Sequence, residues 1–135
     1  MTDDEFLRAL ERCELAESEF GHAAHLRAAY LYLQEADFAG ALERISRAIR
    51  NYATHLGKPD RYHETITVAY VALVQQHICE RGNGGGWVAF ARDNSELFQP
   101  GLLRQFYSQA QLESELARRV FLLPHSAPTW RDACA

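Results

Sequence analysis

The sequence is poor in cysteine, and the few cysteines are scattered. Cys13, Cys79 and Cys134 are an odd number at wide spacing, with no CxxC pair. This pattern argues against a disulfide framework and against a zinc ribbon, which both require closely and regularly spaced cysteines. It is typical of reduced thiols in a reducing compartment.

Long apolar runs and an excess of basic residues are also missing. No stretch approaches 18 consecutive apolar residues, so the sequence predicts no membrane span. The formal net charge of −4 gives no general attraction to nucleic acid, which normally requires a basic face. The acidic first residues lack the basic and apolar regions of a secretory signal. We therefore expect a cytoplasmic protein that binds neither nucleic acid nor membranes.

What is present is the composition of an ordinary globular protein. Hydrophobic residues make up 47% of the 135 residues and charged residues 24%. This length and composition predict a single domain, 1–135, with one core. We expect a loose tail at 125–135 and a flexible turn at the glycine-rich stretch 82–86. That stretch follows no predicted strand and lacks the GK[ST] ending of a phosphate loop.

Apolar periodicity predicts three long helices. Apolar positions recur with helical spacing from 22 to 33, from a cap at Asp37 to about 55, and from about 60 to 80. Gly57 and Pro59 are expected to end the second helix. Val, Ile and Thr in the third stretch leave a strand as the alternative, which its length disfavours.

Shorter helices are expected on both sides of these three. Residues 3–15 predict a short helix capped by Asp3 or Asp4. Several short helices are expected after residue 86, the last capped by Ser108 and running through Arg119, followed by an apolar strap at 121–124. The predicted fold class is all-α: an irregular bundle of three long helices plus short C-terminal helices.

Histidines are the sharpest chemical signal in the sequence. If the three long helices run up, down and up through short loops, the first and third begin at the same end of the bundle. That end would bring together His22 and His25, His63 and Glu64, and also His55 from the end of the middle helix. Imidazoles gathered in this way could ligate a metal or transfer protons near neutral pH.

A metal site is the first interpretation of this cluster. His22, His25, His63 and Glu64 would form a reasonable ligand set for a divalent cation such as zinc, iron or manganese. No established motif such as HExxH is present.

An anion site is the second interpretation. Helix N-termini carry positive partial charge and free N–H groups, which favour a small acidic ligand over an additional cation. Arg27, Arg61 and His55 would contribute to such a site, with Lys58 nearby. Ordinary packing and capping of the histidines is the third interpretation. All three remain open at this point, as does the question whether the protein is an enzyme.

The segment 30–49 resembles the helical hairpin of tetratricopeptide repeats, in which small residues seven positions apart let two helices pack closely. Ala41 and Ala48 occupy these positions here. The pattern does not recur about 34 residues later, where Gln75 and Gly82 stand instead. The resemblance therefore implies one hairpin and no repeat array.

Such a hairpin provides the alternative function, an interaction scaffold or homodimer surface with Tyr30, Tyr32 and Phe38 as contact residues. A wider pattern, Phe20-x-His22-x-x-His25-Leu26 followed by Tyr62-His63-Glu64-Thr65 and Phe121-Leu122-Leu123-Pro124, resembles a family of small bacterial helical proteins. That resemblance covers most of the chain and implies a helical fold without implying an activity.

Overall fold

The computed structural model describes residues 1–124, and within this range the chain is all-α. No strand occurs in the described range, which confirms the predicted class. No helix in it combines the length and the apolar character needed to cross a membrane. The α-helices are α1 (Asp3–Glu11), α2 (His22–Glu35), α3 (Phe38–His55), α4 (Glu64–Arg81), α5 (Trp87–Asp93), α6 (Gln109–Glu113) and α7 (Glu115–Arg119), with 3₁₀ turns at Glu17–Glu19, Pro59–Arg61, Ser95–Phe98 and Leu102–Gln105. The predicted tail at 125–135 lies outside the described residues.

The core lies between the three longest helices. α2 packs against both α3 and α4, α3 also packs against α4, and α1 lies against α2 and α3. Fully buried side chains from α2, α3 and α4 meet there, among them Leu26, Ile45, Val71 and Val74. Burying each such side chain stabilises the fold by about 1.5–3 kcal/mol relative to leaving it exposed. Ala36 and Asp37 alone link α2 to α3, so these two helices form an αα-hairpin.

Side-chain caps define where α1 and α3 begin. Asp37 accepts a hydrogen bond from the amide three residues later at 2.9 Å, as its sequence position predicts. α1 is capped by Thr2 and not by Asp3 or Asp4: the Thr2 hydroxyl accepts from the amide of Glu5 at 3.1 Å, and the Glu5 carboxylate accepts from the amide of Thr2. This is a complete capping box, and the two aspartates occupy the first turn.

α4 begins later than predicted. Pro59 opens a 3₁₀ turn, and the helix starts at Glu64 and not near Asp60. His63 is the N-cap, and its Nδ1 accepts a hydrogen bond from the amide of Ile66 at 3.1 Å. The boundary was missed because Ser, Thr, Asp and Asn are the usual caps, whereas imidazole is not.

α1 ends at Glu11, four residues before the predicted end. The chain turns there because Cys13 adopts a left-handed backbone with φ 59°. The amide of Glu14 donates to the carbonyl of Ala9 at 2.8 Å, which is the long hydrogen bond of a Schellman motif. α3 ends in the same motif with Gly57 at φ 74°. A cysteine therefore occupies a position that glycine usually fills.

The C-terminal helix predicted from Ser108 to Arg119 is divided in two. Ser108 caps α6 by accepting from the amide of Gln111 at 3.0 Å, as expected. Ser114 has an extended backbone that interrupts the helix, and its hydroxyl caps α7 by accepting from the amide of Ala117 at 3.1 Å.

The segment after α7 is held to α4 by one buried hydroxyl. Thr65 is 0% exposed, donates to the carbonyl of Val120 at 2.8 Å and accepts from the amide of Leu122 at 3.1 Å. The expected apolar strap covers the core only in part, because Phe121 and Leu123 are 41% and 72% exposed.

Candidate functional site

Three of the predicted histidines line one cavity between α2, α3 and α4. We call this space of about 280 Å³ the ligand cavity. His22 and His25 come from the first turn of α2, His63 from the residue before α4, and Arg61 from the preceding 3₁₀ turn. The other lining residues are Gly21, Ala29, Ile45, Ile49, Ile66, Thr67, Tyr70 and Val71.

His22 stands at the start of α2. Its Nε2 lies 3.2 Å from the carbonyl oxygen of Leu97, so this nitrogen carries the proton and donates. The ring packs edge-on against Tyr70, with 4.9 Å between centroids. Nδ1 has no hydrogen-bond partner among residues 1–124, which leaves one nitrogen of this imidazole available to a ligand.

His25 is oriented by its own helix. Its Nδ1 lies 2.9 Å from the carbonyl of Gly21 and donates to it, and the ring stacks on Phe20 at 4.1 Å. Burial lowers the pKa of His25 below its ordinary value, and the neighbouring His22 adds to this, while the bond to Gly21 opposes it. The neutral ring therefore keeps a lone pair on Nε2, for which the described part of the chain provides no partner.

His63 is fully engaged by the backbone. Its Nδ1 accepts from the amide of Ile66, and its Nε2 donates to the carbonyl of Leu112 at 2.7 Å. Both ring nitrogens are used, so no lone pair remains for a metal unless one of these bonds breaks.

Glu64 does not line the ligand cavity. Its carboxylate accepts from the hydroxyl of Tyr62 at 2.5 Å and forms an ion pair with Arg50 at 3.5 Å. Burial, together with Glu64, raises the pKa of Tyr62 to about 12. Between residues 1 and 124, no group of three or more His, Cys, Asp or Glu side chains is placed to hold a metal ion.

Arg61 brings positive charge to the edge of the cavity. Its Nη1 lies 2.6 Å from Oε1 of Glu17, and Lys58 Nζ lies 2.6 Å from the same oxygen. The bond and charge of Lys58, reinforced by Arg61, lower the pKa of Glu17. Two cations share one carboxylate, so Lys58, Arg61 and Glu17 together keep a net positive charge.

The other two residues predicted for an anion site lie outside the ligand cavity. Arg27 donates to Asp3 at 2.7 Å, and its guanidinium lies over the ring of Phe6, 4.5 Å from the centroid. His55 is the last residue of α3 and is exposed. Arg27 and His55 therefore do not join Arg61 in the lining of this cavity, because their positions on the helices direct them elsewhere.

Tyr70 is a cavity residue that the sequence analysis did not single out. It lines the ligand cavity and is only half-buried, and its hydroxyl makes no hydrogen bond to any described residue. Burial raises the pKa of Tyr70, so the hydroxyl keeps its proton and remains a donor. Helical periodicity places Tyr70 on the inner face, but it cannot show that a cavity opens there.

A second, smaller chamber of about 160 Å³ lies beside the first. It shares His25, Ile49 and Arg61 with the ligand cavity. Its remaining lining residues are Glu17, Phe20, Tyr52, Ala53, Leu56 and Tyr62. The sequence carried no signal for this chamber, because it is formed by residues from four separate segments.

The aromatic residues predicted as hairpin contacts lie mainly in the core. Tyr30 and Tyr32 are 2% and 1% exposed, and Phe38 is half-buried against the core. Tyr30 donates to the carbonyl of Asn83 at 2.7 Å, and Tyr32 donates to Glu11 at 2.6 Å. Tyr30 and Tyr32 therefore cannot act as surface contacts in this fold, which corrects that prediction.

No model of a protein family matches this chain, and neither a curated protein nor a solved structure matches it. The resemblances to a small bacterial helical family and to a tetratricopeptide hairpin remain predictions. The function proposed for the protein rests on the ligand cavity.

Proposed function

We propose that the protein binds a small organic acid in the ligand cavity. The carboxylate would lie near Arg61 and Tyr70, which can donate hydrogen bonds to it, and the apolar body of the ligand would pack on the aliphatic part of the lining. In this proposal α2, α3 and α4 are the three long helices of one irregular bundle. The site lies at the end of the bundle where α2 and α4 begin.

The observation that carries this proposal is the chemistry of the lining. Among residues 1–124, the lining consists of three histidines, one arginine and uncharged residues, with no aspartate or glutamate. An anion in the cavity would therefore meet no like charge from the lining. Ile45, Ile49, Ile66 and Val71 supply an apolar surface, and a mostly apolar pocket with a few polar groups is typical of small-molecule sites.

The start of α2 adds hydrogen-bond donors. Gly21 is its N-cap and has no side chain to accept from the helix, and the first turn contains no acidic residue. The first amides of a helix have no partner within it, and they carry the positive end of its dipole. Gly21 and His22 line the cavity, so the start of α2 lies beside it. The start of α4 is different, because His63 already caps it.

A divalent metal has less support at the same place. Of the four predicted ligands, His63 uses both nitrogens for backbone hydrogen bonds, and Glu64 is bound to Tyr62 and Arg50. His22 and His25 would be left with no carboxylate among the lining residues. The lack of a carboxylate among the described lining residues weakens the case for zinc, iron or manganese, and it leaves no negative charge there to repel an acidic ligand.

The size of the cavity restricts the ligand. Small-molecule sites usually measure about 300–1,000 Å³, and the ligand cavity is close to the lower limit at about 280 Å³. A short aliphatic or small aromatic acid is therefore the appropriate class of ligand.

Isothermal titration calorimetry with hexanoate, hexanol and hexylamine tests this function. We expect hexanoate to bind at one equivalent and more tightly than hexanol, with no binding of hexylamine. Arg61→Met should weaken hexanoate binding about fivefold, which corresponds to about 1 kcal/mol for a partly exposed charge. Arg27→Met is the matched control and should leave the dissociation constant unchanged, because Arg27 contacts α1.

Two outcomes would contradict the proposal. Equal affinity for hexanoate and hexanol would mean that the carboxylate is not recognised. Binding of one equivalent of zinc, iron or manganese that is lost in His22→Ala and His25→Ala would favour the metal interpretation instead.

A further inference from the structure

The second chamber lies directly beside the ligand cavity, and some of the same side chains line both spaces. The two spaces share three lining residues, His25, Ile49 and Arg61, and both lie against α3. Their volumes are about 280 and 160 Å³. A ligand could therefore extend from one into the other if one of the shared side chains moved.

The lining of the second chamber suits an apolar group. The hydroxyl of Tyr52 donates to the carbonyl of Leu15 at 2.8 Å, and that of Tyr62 donates to Glu64. Both phenols are thus already paired. The carboxylate of Glu17 at its edge is held by Lys58 and Arg61. A hydrocarbon chain could enter this chamber without leaving a buried polar group unpaired.

A stack of two rings lies at the division between the two spaces, beside the other shared residues Ile49 and Arg61. The His25 imidazole lies on Phe20 with 4.1 Å between centroids and an interplanar angle of 30°. Phe20 is itself packed edge-on against Tyr52 at 5.2 Å. Phe20 lines the second chamber only, whereas His25 lines both. Phe20 therefore supports the imidazole from the side of the second chamber.

We propose that the ligand is an unbranched aliphatic acid and that the Phe20–His25 stack limits its chain length by closing the second chamber. This inference rests on the proposed function, and it assigns Phe20 as a specificity-determining residue that need not touch the short ligand. Short acids fit the ligand cavity, and longer chains require the imidazole to leave the stack.

Calorimetric titration of hexanoate and decanoate into the full chain tests this inference. The wild type should prefer hexanoate. In Phe20→Ala the imidazole loses its stacking partner and keeps only its bond to Gly21, so a longer chain can displace it more easily. The preference for hexanoate over decanoate should therefore fall about tenfold or more, since each buried methylene adds to affinity. Leu56→Ala is the matched control: it enlarges the second chamber without touching the stack, and the preference should not change.

The possible results separate the two proposals. If hexanoate binds the wild type and the preference is the same in Phe20→Ala and the wild type, or changes equally in Leu56→Ala, the chain-length inference is wrong and acid binding stands. If neither acid binds the wild type, both proposals fail. Phe20→Leu, with its fold checked by circular dichroism, should show a smaller shift in the same direction if Phe20→Ala does not fold.

Discussion

Replacing His63 is expected to cost stability, because its two nitrogens satisfy two backbone groups. In His63→Ala the amide of Ile66 loses its cap, at about 1 kcal/mol. The carbonyl of Leu112 loses its donor, at about 1 kcal/mol more. With an unfolding entropy of about 2.1 cal/mol/K per residue over 135 residues, a loss of about 2 kcal/mol lowers Tm by about 7 °C.

Two conservative variants divide this loss between the two nitrogens. His63→Asn places a side-chain acceptor close to the position of Nδ1, so it should keep the cap and lose about 1 kcal/mol. His63→Gln places a donor close to the position of Nε2, so it should keep the bond to Leu112 and lose about 1 kcal/mol from the missing cap. Urea unfolding measures these differences, and an unchanged m value would show that only stability has changed.

The exposed His55 is the control for these variants. His55→Ala should change the free energy of unfolding by no more than about 0.5 kcal/mol, as is usual for surface substitutions. The capping role of His63 is refuted if His63→Ala is as stable as His55→Ala. It is also refuted if zinc raises the Tm of the wild type but not that of His63→Ala, because His63 would then be a metal ligand.

Three further predictions concern stability. Cys13→Gly should raise the free energy of unfolding by about 1 kcal/mol in urea titrations, because it removes the strain of a left-handed cysteine. Gly57→Ala should lower the free energy of unfolding by about as much. A destabilised Cys13→Gly would mean that the packing of the thiol outweighs the strain. Thr65→Val should cost about 3 kcal/mol in calorimetry, because two backbone partners lose their bonds, and an unchanged Tm would contradict the anchoring of the C-terminal segment. Because burial lowers the pKa of His25, the unfolded chain binds more protons below about pH 6.5. Stability should therefore fall as the pH decreases from 7.5 to 5.5, and His25→Phe should reduce this decrease; equal pH profiles would show that His25 is not responsible.

Features that depend on neighbouring residues could be predicted from the sequence. Asp37 and Ser108 cap helices as expected, and Gly57 ends one, because each of these roles involves the backbone within a few residues. The roles of Cys13 and His63 are also local, but they were missed because these residue types rarely fill them. They perform the roles of glycine and of a small polar cap, and residue identity alone does not indicate this.

The candidate site was predictable only in part. His22, His25, His63 and Arg61 do line one cavity. The carbonyls that engage His22 and His63 belong to Leu97 and Leu112, more than 40 residues away in the chain. No periodicity reveals such partners, so the use of His63 by the backbone could not be foreseen.

The position of Arg27 could have been foreseen. It follows His25 by two residues, which is about 200° around an α-helix, so the two side chains leave α2 on opposite sides. Arg27 accordingly contacts Asp3 and Phe6 of α1. Helical geometry alone excludes it from a site that contains His25.

The two-residue link between α2 and α3 has a consequence for the order of folding. Contacts between neighbouring segments form faster than distant ones, so we expect the α2–α3 hairpin to assemble before α4 packs against it. The ligand cavity needs Ile66, Tyr70 and Val71 of α4, and it is therefore complete only after this last step. A bound acid would then stabilise contacts absent from the transition state, so it should slow unfolding and leave the folding rate unchanged.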